Sequence, residues 1–262
     1  MGILNVTPDS FSDGGRFVDP DQALDQAMHM VESGADILDI GGESTRPGAD
    51  DVSAEVEIDR VLPVIERISQ RSDVIVSIDT SKPSVMRAAA AAGAGLINDV
   101  RALREPGALD AAVSLSLPVC LMHMQGRPRS MQNQPSYQNV VHEVYEFLQQ
   151  RLSECVSAGL CIENLLIDPG FGFGKTTAHN LRLLERLNEF ATLAPIVTGL
   201  SRKRMFAEIL GSDAADRTTA SVAAAVFCVQ HGSSIVRVHD VRQTVEALQV
   251  YNALETSRCN AG

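Results

Sequence analysis

A single-domain (β/α)8 barrel, the TIM-barrel architecture, is the α/β fold that this 262-residue sequence predicts. The first observation is that eight short apolar runs alternate with segments of helical periodicity, as in a parallel sheet covered by helices. The second is that no Pro/Ser-rich linker divides the chain, whose length is usual for one such barrel. Eight repeats favour a closed barrel over an open doubly wound sheet, and we assign residues 1–262 to one domain.

Each of the eight predicted strands ends in polar or charged residues. In chain order the runs are GILN (2–5), ADILDIGGE (35–43), VIVSIDTS (74–81), GLINDV (95–100), PVCLMHM (118–124), NLLIDPG (164–170), PIVTGLSRK (195–203) and SIVRVHD (234–240). A buried strand needs apolar residues on both faces, so a polar end is poorly explained by packing. Because the carboxyl ends of barrel strands meet at one face, these eight ends predict one shared site.

Helical periodicity marks most of the segments between the runs. These segments are residues 19–34, 53–71, 82–93, 138–159, 178–190, 217–232 and 241–254. Ser53 suits an N-cap, and Pro83 suits a first helical turn. Residues 105–115 are weak as a helix. The loops after the first two strands are long and rich in Gly, Pro, Ser and Asp, which makes them candidates for mobile lids.

Composition excludes several classes of partner. The formal net charge of −11 argues against nucleic acid or an anionic membrane, but a few local cations could still bind a small anionic substrate. The five cysteines show no CxxC spacing, which predicts reduced thiols in a cytoplasmic protein. We expect no membrane span and no signal peptide. The chain begins almost inside its first strand, which suggests that upstream residues are missing.

Four polar strand ends form the first candidate constellation: Asp79, Asn98, Asp168 and Lys203. Any one alone is more often a structural cap, but two carboxylates, an amide and an ammonium in one apolar mouth need a ligand or mutual pairing. Aspartate accepts from an amidine-like edge, asparagine donates and accepts, and lysine donates to a carbonyl or ring nitrogen. The set therefore suits a flat heterocycle. Met122 is either core or an apolar wall against that ring.

A second constellation, Arg46, Arg237 and His239, suits an anion. Arg237 and His239 alternate along the last strand and face one side, and arginine's fork fits phosphate oxygens. The competing interpretation is an ion pair between Arg237 and Asp240, which we rate below anion binding. Asn5 offers an amide oxygen that is adequate for Mg²⁺ already held by phosphates and water, although alone it reads as a turn residue.

The segment DPGFGFGKT (168–176) resembles a phosphate-binding loop but fails the Walker A pattern, because Pro169 replaces the first glycine. We interpret its glycines as letting the backbone approach a flat ligand, with Phe173 exposed to stack on it. His123 and His179 have no Ser or Cys partner at an identifiable spacing, so we treat both as structural.

Taken together, these motifs resemble those of the dihydropteroate synthase family of pterin-binding enzymes. They are NVTPDSFSDGG (5–15), DIGGESTRPGA (39–49), SIDTSKP (77–83), INDV (97–100), LMHMQG (121–126), DPGFGFGKT (168–176), SRK (201–203) and RVHD (237–240). They run in the family's order over nearly the whole chain. The resemblance implies condensation of 6-hydroxymethyl-7,8-dihydropterin pyrophosphate with p-aminobenzoate, giving 7,8-dihydropteroate and pyrophosphate in folate biosynthesis.

The resemblance also implies roles for individual residues and a Mg²⁺ cofactor. The residues implied for the pterin are Asp79, Asn98, Asp168 and Lys203, with Arg237 covering its face. The residues implied for the pyrophosphate are Thr45, Arg237 and His239, with Mg²⁺ on Asn5. Asp13 and Arg46 would enter on the two loops and act in catalysis with Asp168 and Lys203. The p-aminobenzoate pocket would be shaped by Phe11, Thr45, Pro47, Phe173 and Lys203.

Two departures and two alternatives accompany this interpretation. Arg204 stands where most relatives carry serine, at a position that the resemblance places beside the carboxylate end of p-aminobenzoate, and residues that usually precede MGILN are absent. The nearest alternative is a methyltransferase that moves a methyl group from methyltetrahydrofolate to a corrinoid protein, which would not need Arg46, SRK or RVHD. The other is a non-catalytic pterin-binding homologue. We expect sulfonamide inhibition and a homodimer, since the last helices carry exposed apolar faces.

Overall fold

The computed structural model describes residues 1–7, 19–44, 51–126, 135–211 and 216–260. Eight parallel strands form one sheet in sequential order. They are β1 (Gly2–Asn5), β2 (Ile37–Gly41), β3 (Ile75–Asp79), β4 (Leu96–Asp99), β5 (Val119–Met122), β6 (Leu165–Asp168), β7 (Ile196–Thr198) and β8 (Ser233–Val236). All eight predicted strands are confirmed.

The first strand also contacts the chain just beyond β8. A parallel bridge joins Gly2 to Val238, the Ile3 amide donates to the Val238 carbonyl at 2.9 Å, and the Val238 amide donates to the Met1 carbonyl at 2.9 Å. The sheet therefore curls, and the segment that follows β8 lies beside β1. The carboxyl ends of its strands lie at one face, which we call the strand-end face.

Helices follow the strands as the periodicity predicts. They are α1 (Pro20–Glu32), α2 (Ala54–Arg71), α3 (Pro83–Ala91), α4 (Ala108–Leu115), α5 (Val140–Ser157), α6 (Thr177–Glu185), α7 (Leu187–Phe190), α8 (Arg204–Leu210), α9 (Thr218–Gln230) and α10 (Val241–Asn260). Ser53 caps α2 by accepting from the Val56 amide, and Pro83 opens α3, as expected.

Two helix predictions need correction. Residues 105–115 include a regular helix, α4, which begins after the left-handed Gly107 and buries Ala108, Ala111 and Ala112. Alanine's high helix propensity and this burial outweigh the weak amphipathic pattern. The segment 178–190 is two helices, because Arg186 leaves the helical conformation at φ −113° and ψ 21°.

One apolar core joins the sheet to the inner faces of the helices. Leu38, Ile40, Ile78, Ile97 and Leu121 are fully buried strand residues within it. Since apolar residues fill the interior, the polar ends of the strands are confined to the strand-end face. No helix among the described residues is long and apolar enough to span a membrane. Cys120, Cys155, Cys161 and Cys228 are free thiols.

Candidate functional site

Strand register places Asn5, Gly41, Asp79 and Asn98 side by side across β1 to β4. In a parallel sheet, residues in register point to the same side, so their polar groups share one surface. Gly41 leaves room between its neighbours, since a Cβ there would lie 3.7 Å from Asp79 Oδ2 and 3.8 Å from Asn5 Oδ1. The structure thus brings together three of the predicted site residues.

Asp39 lies at the centre of a hydrogen-bond network on this side of the strand-end face. It is fully buried and accepts from Ser77 Oγ at 2.6 Å, Asn98 Nδ2 at 3.0 Å and Arg237 Nε at 2.5 Å. A carboxylate can only accept, so it fixes the Asn98 amide with its nitrogen towards Asp39 and its oxygen turned away. Asp39 therefore orients the Asn98 amide and neutralises the charge of Arg237, two residues that are predicted to contact the pterin.

Arg237 pairs with two carboxylates in this structure. Its Nη2 donates to Asp79 Oδ2 at 2.8 Å, in addition to the bond from Nε to Asp39. The alternative partner, Asp240, is instead bound by Arg202, with Arg202 Nη2 at 2.6 Å from Asp240 Oδ1. The predicted choice between anion binding and an Asp240 pair was therefore incomplete. Among the described residues, Arg237 uses two of its five guanidinium N–H donors, both on carboxylates.

The ion pair does not keep Asp79 strongly acidic. Burial raises the pKa of Asp79 to about 7, while Arg237 opposes that shift and the carboxylates of Asp39, Glu57 and Asp99 add to it. The pKa of Arg237 is raised above its usual value because Asp39 and Asp79 outweigh the effect of burial. Asp79 is thus poised to gain a negative charge when a cationic or N–H-rich ligand arrives.

On the opposite side of the face, Asp168 ends β6 in register with Met122 of β5. Asp168 is buried and accepts from the Gly170 amide at 2.7 Å, and burial raises its pKa. Met122, Met124 and Val100 form a small apolar cluster against which Phe173 packs. Met122 is thus buried in an apolar cluster beside Asp168, and its role as a wall against a ring stays a prediction.

Lys203 and Phe173 contact each other across the loops that follow β7 and β6. Lys203 Nζ lies over the Phe173 ring, 4.2 Å from its centroid, which is cation–π geometry. Burial and the nearby Arg237 lower the pKa of Lys203 to about 8, against the opposing effects of Asp168 and Asp79. Phe173 is half-buried, less exposed than expected.

Two glycines of the segment 168–176 let this turn pack closely against another part of the protein backbone. A Cβ on Gly170 (φ +70°) would lie 1.8 Å from the His123 carbonyl oxygen, and one on Gly174 (φ +64°) would lie 2.6 Å from the Gln125 carbonyl oxygen. The sequence pattern predicts a close approach to a flat ligand instead. The structure corrects this, because the turn packs directly on the chain that follows β5.

His239 lies beyond the end of β8, which stops at Val236. Its Nδ1 is 2.9 Å from Ser201 Oγ, and its backbone amide donates to the same oxygen at 3.1 Å. Burial lowers the pKa of His239 to about 4, with Arg202 and Arg237 contributing, so the imidazole is neutral near pH 7. Arg237 and His239 still alternate around Val238, but in the segment after the strand.

Several predictions are placed elsewhere or lie outside the described residues. Phe11, Asp13, Thr45, Arg46 and Pro47 belong to the latter group. The Arg204 side chain is 85% exposed and pairs with Glu208 at 3.4 Å. His179 completes a capping box with Thr176 at the start of α6, which supports its structural assignment.

Sequence reasoning missed two residues of this face. Asp39 was left without a role, although a buried aspartate inside an apolar strand was itself a signal. Lys175 was read only as part of a failed phosphate-loop motif. It is buried, and its Nζ contacts His123 Nδ1 at 2.9 Å and donates to the Gly170 carbonyl oxygen at 2.8 Å.

A Mg²⁺ ion would find a partial ligand set here. Among the described residues, no group of three or more His, Cys, Asp or Glu could hold a metal. Asn5 Oδ1 is one hard oxygen at the strand-end face, and Mg²⁺ commonly combines one or two protein oxygens with phosphate oxygens and water. Asn5 therefore fits a metal that arrives with a phosphate-bearing substrate.

The comparisons with known proteins agree with this geometry. Residues 1–239 match the family described as pterin binding enzyme. The dihydropteroate synthase of Haemophilus influenzae is 55% identical over 254 residues, which cover 97% of this chain and 92% of that protein. The Escherichia coli dihydropteroate synthase is 51% identical over 261 residues, covering 99% and 93%.

Solved structures are similar as well. The Yersinia pestis dihydropteroate synthase with a sulfonamide drug complex has a TM-score of 0.93 at 52% identity, over 98% of this chain and 94% of that one. The Xanthomonas albilineans enzyme in complex with 7,8-dihydropteroate has a TM-score of 0.88 at 49% identity, over 97% and 92%. The chain therefore belongs to the dihydropteroate synthases, within the pterin binding enzyme family.

Proposed function

We propose that this chain joins 6-hydroxymethyl-7,8-dihydropterin pyrophosphate to p-aminobenzoate, releasing pyrophosphate and 7,8-dihydropteroate. The observation that carries the proposal is the set of Asp79, Asn98, Asp168 and Lys203 at one strand-end face. Relatives named dihydropteroate synthase match over almost the whole chain. That similarity favours this reaction over methyl transfer to a corrinoid protein and over a non-catalytic homologue. The sheet edges joined at Gly2 and Val238 support a closed (β/α)8 barrel as its scaffold.

The pterin ring would lie between the two sides of the face. Asp79 and Asp168 accept from its N–H groups, the outward oxygen of Asn98 accepts another, and Lys203 donates to its carbonyl or ring nitrogen. Met122 supplies an apolar wall, and Arg237 covers the face of the ring. Each buried carboxylate gains from this contact, because a ligand's donors offset the desolvation that raises its pKa.

The pyrophosphate would lie towards Asn5, Arg237 and His239. When bound, Mg²⁺ on Asn5 would neutralise charge on the leaving pyrophosphate. Arg237 would donate to phosphate oxygens while it keeps at least one of its two carboxylate partners. His239, neutral near pH 7, can donate from its Nε2, since Ser201 occupies its Nδ1 side. Thr45 and Arg46 complete the phosphate contacts in this proposal.

Bond cleavage at the pterin methylene leaves positive charge on the ring side and negative charge on the pyrophosphate. Asp168, with Asp13 from the first loop, favours the cationic fragment. The arylamine then attacks the methylene carbon through its nitrogen lone pair and loses a proton. Lys203, Phe173, Phe11, Thr45 and Pro47 would hold its ring. Positioning in a closed site supplies most of the remaining acceleration.

The direct test incubates the protein with dihydropterin pyrophosphate, p-aminobenzoate and Mg²⁺ and detects dihydropteroate by mass. Product formation that EDTA abolishes and added Mg²⁺ restores is the expected result. No product from folded protein would contradict the proposed reaction, and turnover unaffected by EDTA would contradict the metal. A sulfonamide should compete with p-aminobenzoate, and inhibition that added p-aminobenzoate does not relieve would argue against a shared pocket.

We also infer a homodimer. Val250 and Leu254 on α10 are 62% and 57% exposed, and Phe227 on the adjacent α9 is 39% exposed. A second copy of the chain could cover these side chains. Sedimentation should give a dimer for the native chain and a monomer for Val250→Asp with Leu254→Asp. A native monomer at micromolar concentration would exclude this assembly.

A further inference from the structure

Lys175 is a buried cation that the proposed reaction does not use. Its residue exposure is 3%, and burial lowers its pKa to about 7 although Asp168 opposes the shift. Within the described parts of the chain, no carboxylate lies within ion-pair distance of it. Lys82, by contrast, is held by Glu43 at 2.9 Å and Glu57 at 2.5 Å. A buried amine without a carboxylate costs desolvation energy, so its other contacts must explain its position.

Those contacts join two loops of the strand-end face. Lys175 Nζ donates to the Gly170 carbonyl at 2.8 Å and the Phe173 carbonyl at 3.1 Å, both in the turn after β6. In the segment after β5 it contacts His123 Nδ1 at 2.9 Å and, at a longer distance of 3.4 Å, the His123 carbonyl oxygen. An ammonium group has three N–H donors, and the three shorter of these four contacts match them in number.

His123 allows the same contacts in either protonation state of Lys175. Burial and the nearby Lys175 lower the pKa of His123 to about 2, so the imidazole is neutral. Its Nδ1 accepts from an ammonium group in one tautomer and donates to a neutral amine in the other. The ring is held by an edge contact with Phe147, at 4.9 Å between centroids.

The held turn carries Phe173, whose ring faces Lys203 and the Met122 cluster. We propose that Lys175 is a positioning residue for the arylamine side of the site: with His123 it fixes the turn 170–174 and so sets Phe173 against Lys203. The proposal rests on the proposed function for its substrate and on the geometry of the turn for its mechanism. Lys175 itself is not a catalytic residue.

The test replaces Lys175 with methionine, an unbranched side chain one atom shorter that keeps the apolar stem and removes the three donors. We expect the KM for p-aminobenzoate to rise about tenfold, while the KM for dihydropterin pyrophosphate and kcat change less than threefold. Arg182→Met is the matched control, because Arg182 is a half-exposed cation on α6 paired only with Glu185 among the described residues. Its three constants should stay within twofold of the native values.

An unchanged KM for p-aminobenzoate, or an equal rise in both KM values, would overturn the proposal. If Lys175→Met fails to fold, Lys175→Gln retains two donors and should raise the same constant about threefold. An unchanged constant in that variant also counts against the proposal.

Amide hydrogen exchange separates this proposal from the proposed function. In the variant, residues 170–174 should exchange at least tenfold faster than in the native chain, whether or not product forms. Unchanged exchange there would refute the contact's role. Absence of dihydropteroate from the native chain would count against the reaction alone.

Discussion

The two sides of the strand-end face compensate their buried charges differently. On the side built by β2, β3 and β8, Asp39, Asp79 and Arg237 form ion pairs at 2.5 and 2.8 Å. On the side built by β5, β6 and β7, Asp168 and Lys203 form no ion pair with any described residue. Asp168 is held by a backbone amide, and Lys203 lies over an aromatic ring.

The first side is therefore preassembled, whereas the charges of the second side await compensation by a ligand. Mutual pairing offsets desolvation in the first, and removing one partner there exposes the other to the full cost. In the second, a backbone amide and an aromatic ring give only partial compensation, because neither Asp168 nor Lys203 has an ion-pair partner among the described residues. A ligand with complementary donors and acceptors therefore gains most on the second side.

The largest effect is expected from Asp168→Asn. Asparagine Oδ1 still accepts from the Gly170 amide, so the turn is retained while the charge facing the pterin is lost. The kcat/KM should fall about a thousandfold, equivalent to about 4 kcal/mol, measured as initial rates of dihydropteroate formation. Asp21→Asn, at an exposed ion pair with Arg67, is the control and should be neutral. A fall in kcat/KM of less than tenfold would contradict the expectation that a ligand gains most of its binding energy on the second side.

Asp39→Ala tests the preassembled side. It deletes a fully buried carboxylate and leaves Arg237 with one partner, so the free energy of unfolding should fall by about 3–5 kcal/mol. Urea unfolding followed by circular dichroism measures it, since the chain has no tryptophan. Glu185→Ala, at an exposed pair on α6, should change stability by less than about 0.5 kcal/mol. Similar values for the two variants would mean that the network does not stabilise the fold.

The pH dependence of the reaction tests the state of Asp79. Its pKa of about 7 in the folded protein lies above the ordinary 3.8, so the folded state binds more protons between these values and stability falls as pH rises through that window. The kcat/KM for the pterin substrate should rise roughly tenfold per pH unit up to about pH 7, because the carboxylate is the form that binds the substrate. Asp79→Asn should remove this limb. A limb that persists in the variant would assign the titration to another group.

The smallest effect is expected from Arg204→Ser. The arginine is 85% exposed and pairs with Glu208, so we expect it to contribute little to arylamine binding. The KM for p-aminobenzoate should stay within about twofold of the native value. A fall of more than threefold would show that Arg204 enters the pocket when the substrate is bound.

Much of the site could be predicted because strand ends are visible in the sequence. Asp79, Asn98 and Asp168 close apolar runs, and the sheet places them where the runs end. The partners of Arg237 could not be predicted in this way. The sequence offers Asp240, three residues away, as a partner for Arg237, whereas Asp39, which pairs with it, is 198 positions away. The role of Lys175 was hidden because its acceptors are an imidazole and carbonyls, which no charge pattern marks.

The sequence by itself determined the order of eight strands, the helices between them and the residue types that end each strand. These are local properties, since apolar periodicity and capping act over a few residues. Only the tertiary structure decided which charges pair, because curling of the sheet brings the segment after β8 beside β1 to β3. Ion pairs depend on separations of a few ångströms, and the fold sets those separations across the whole length of the chain.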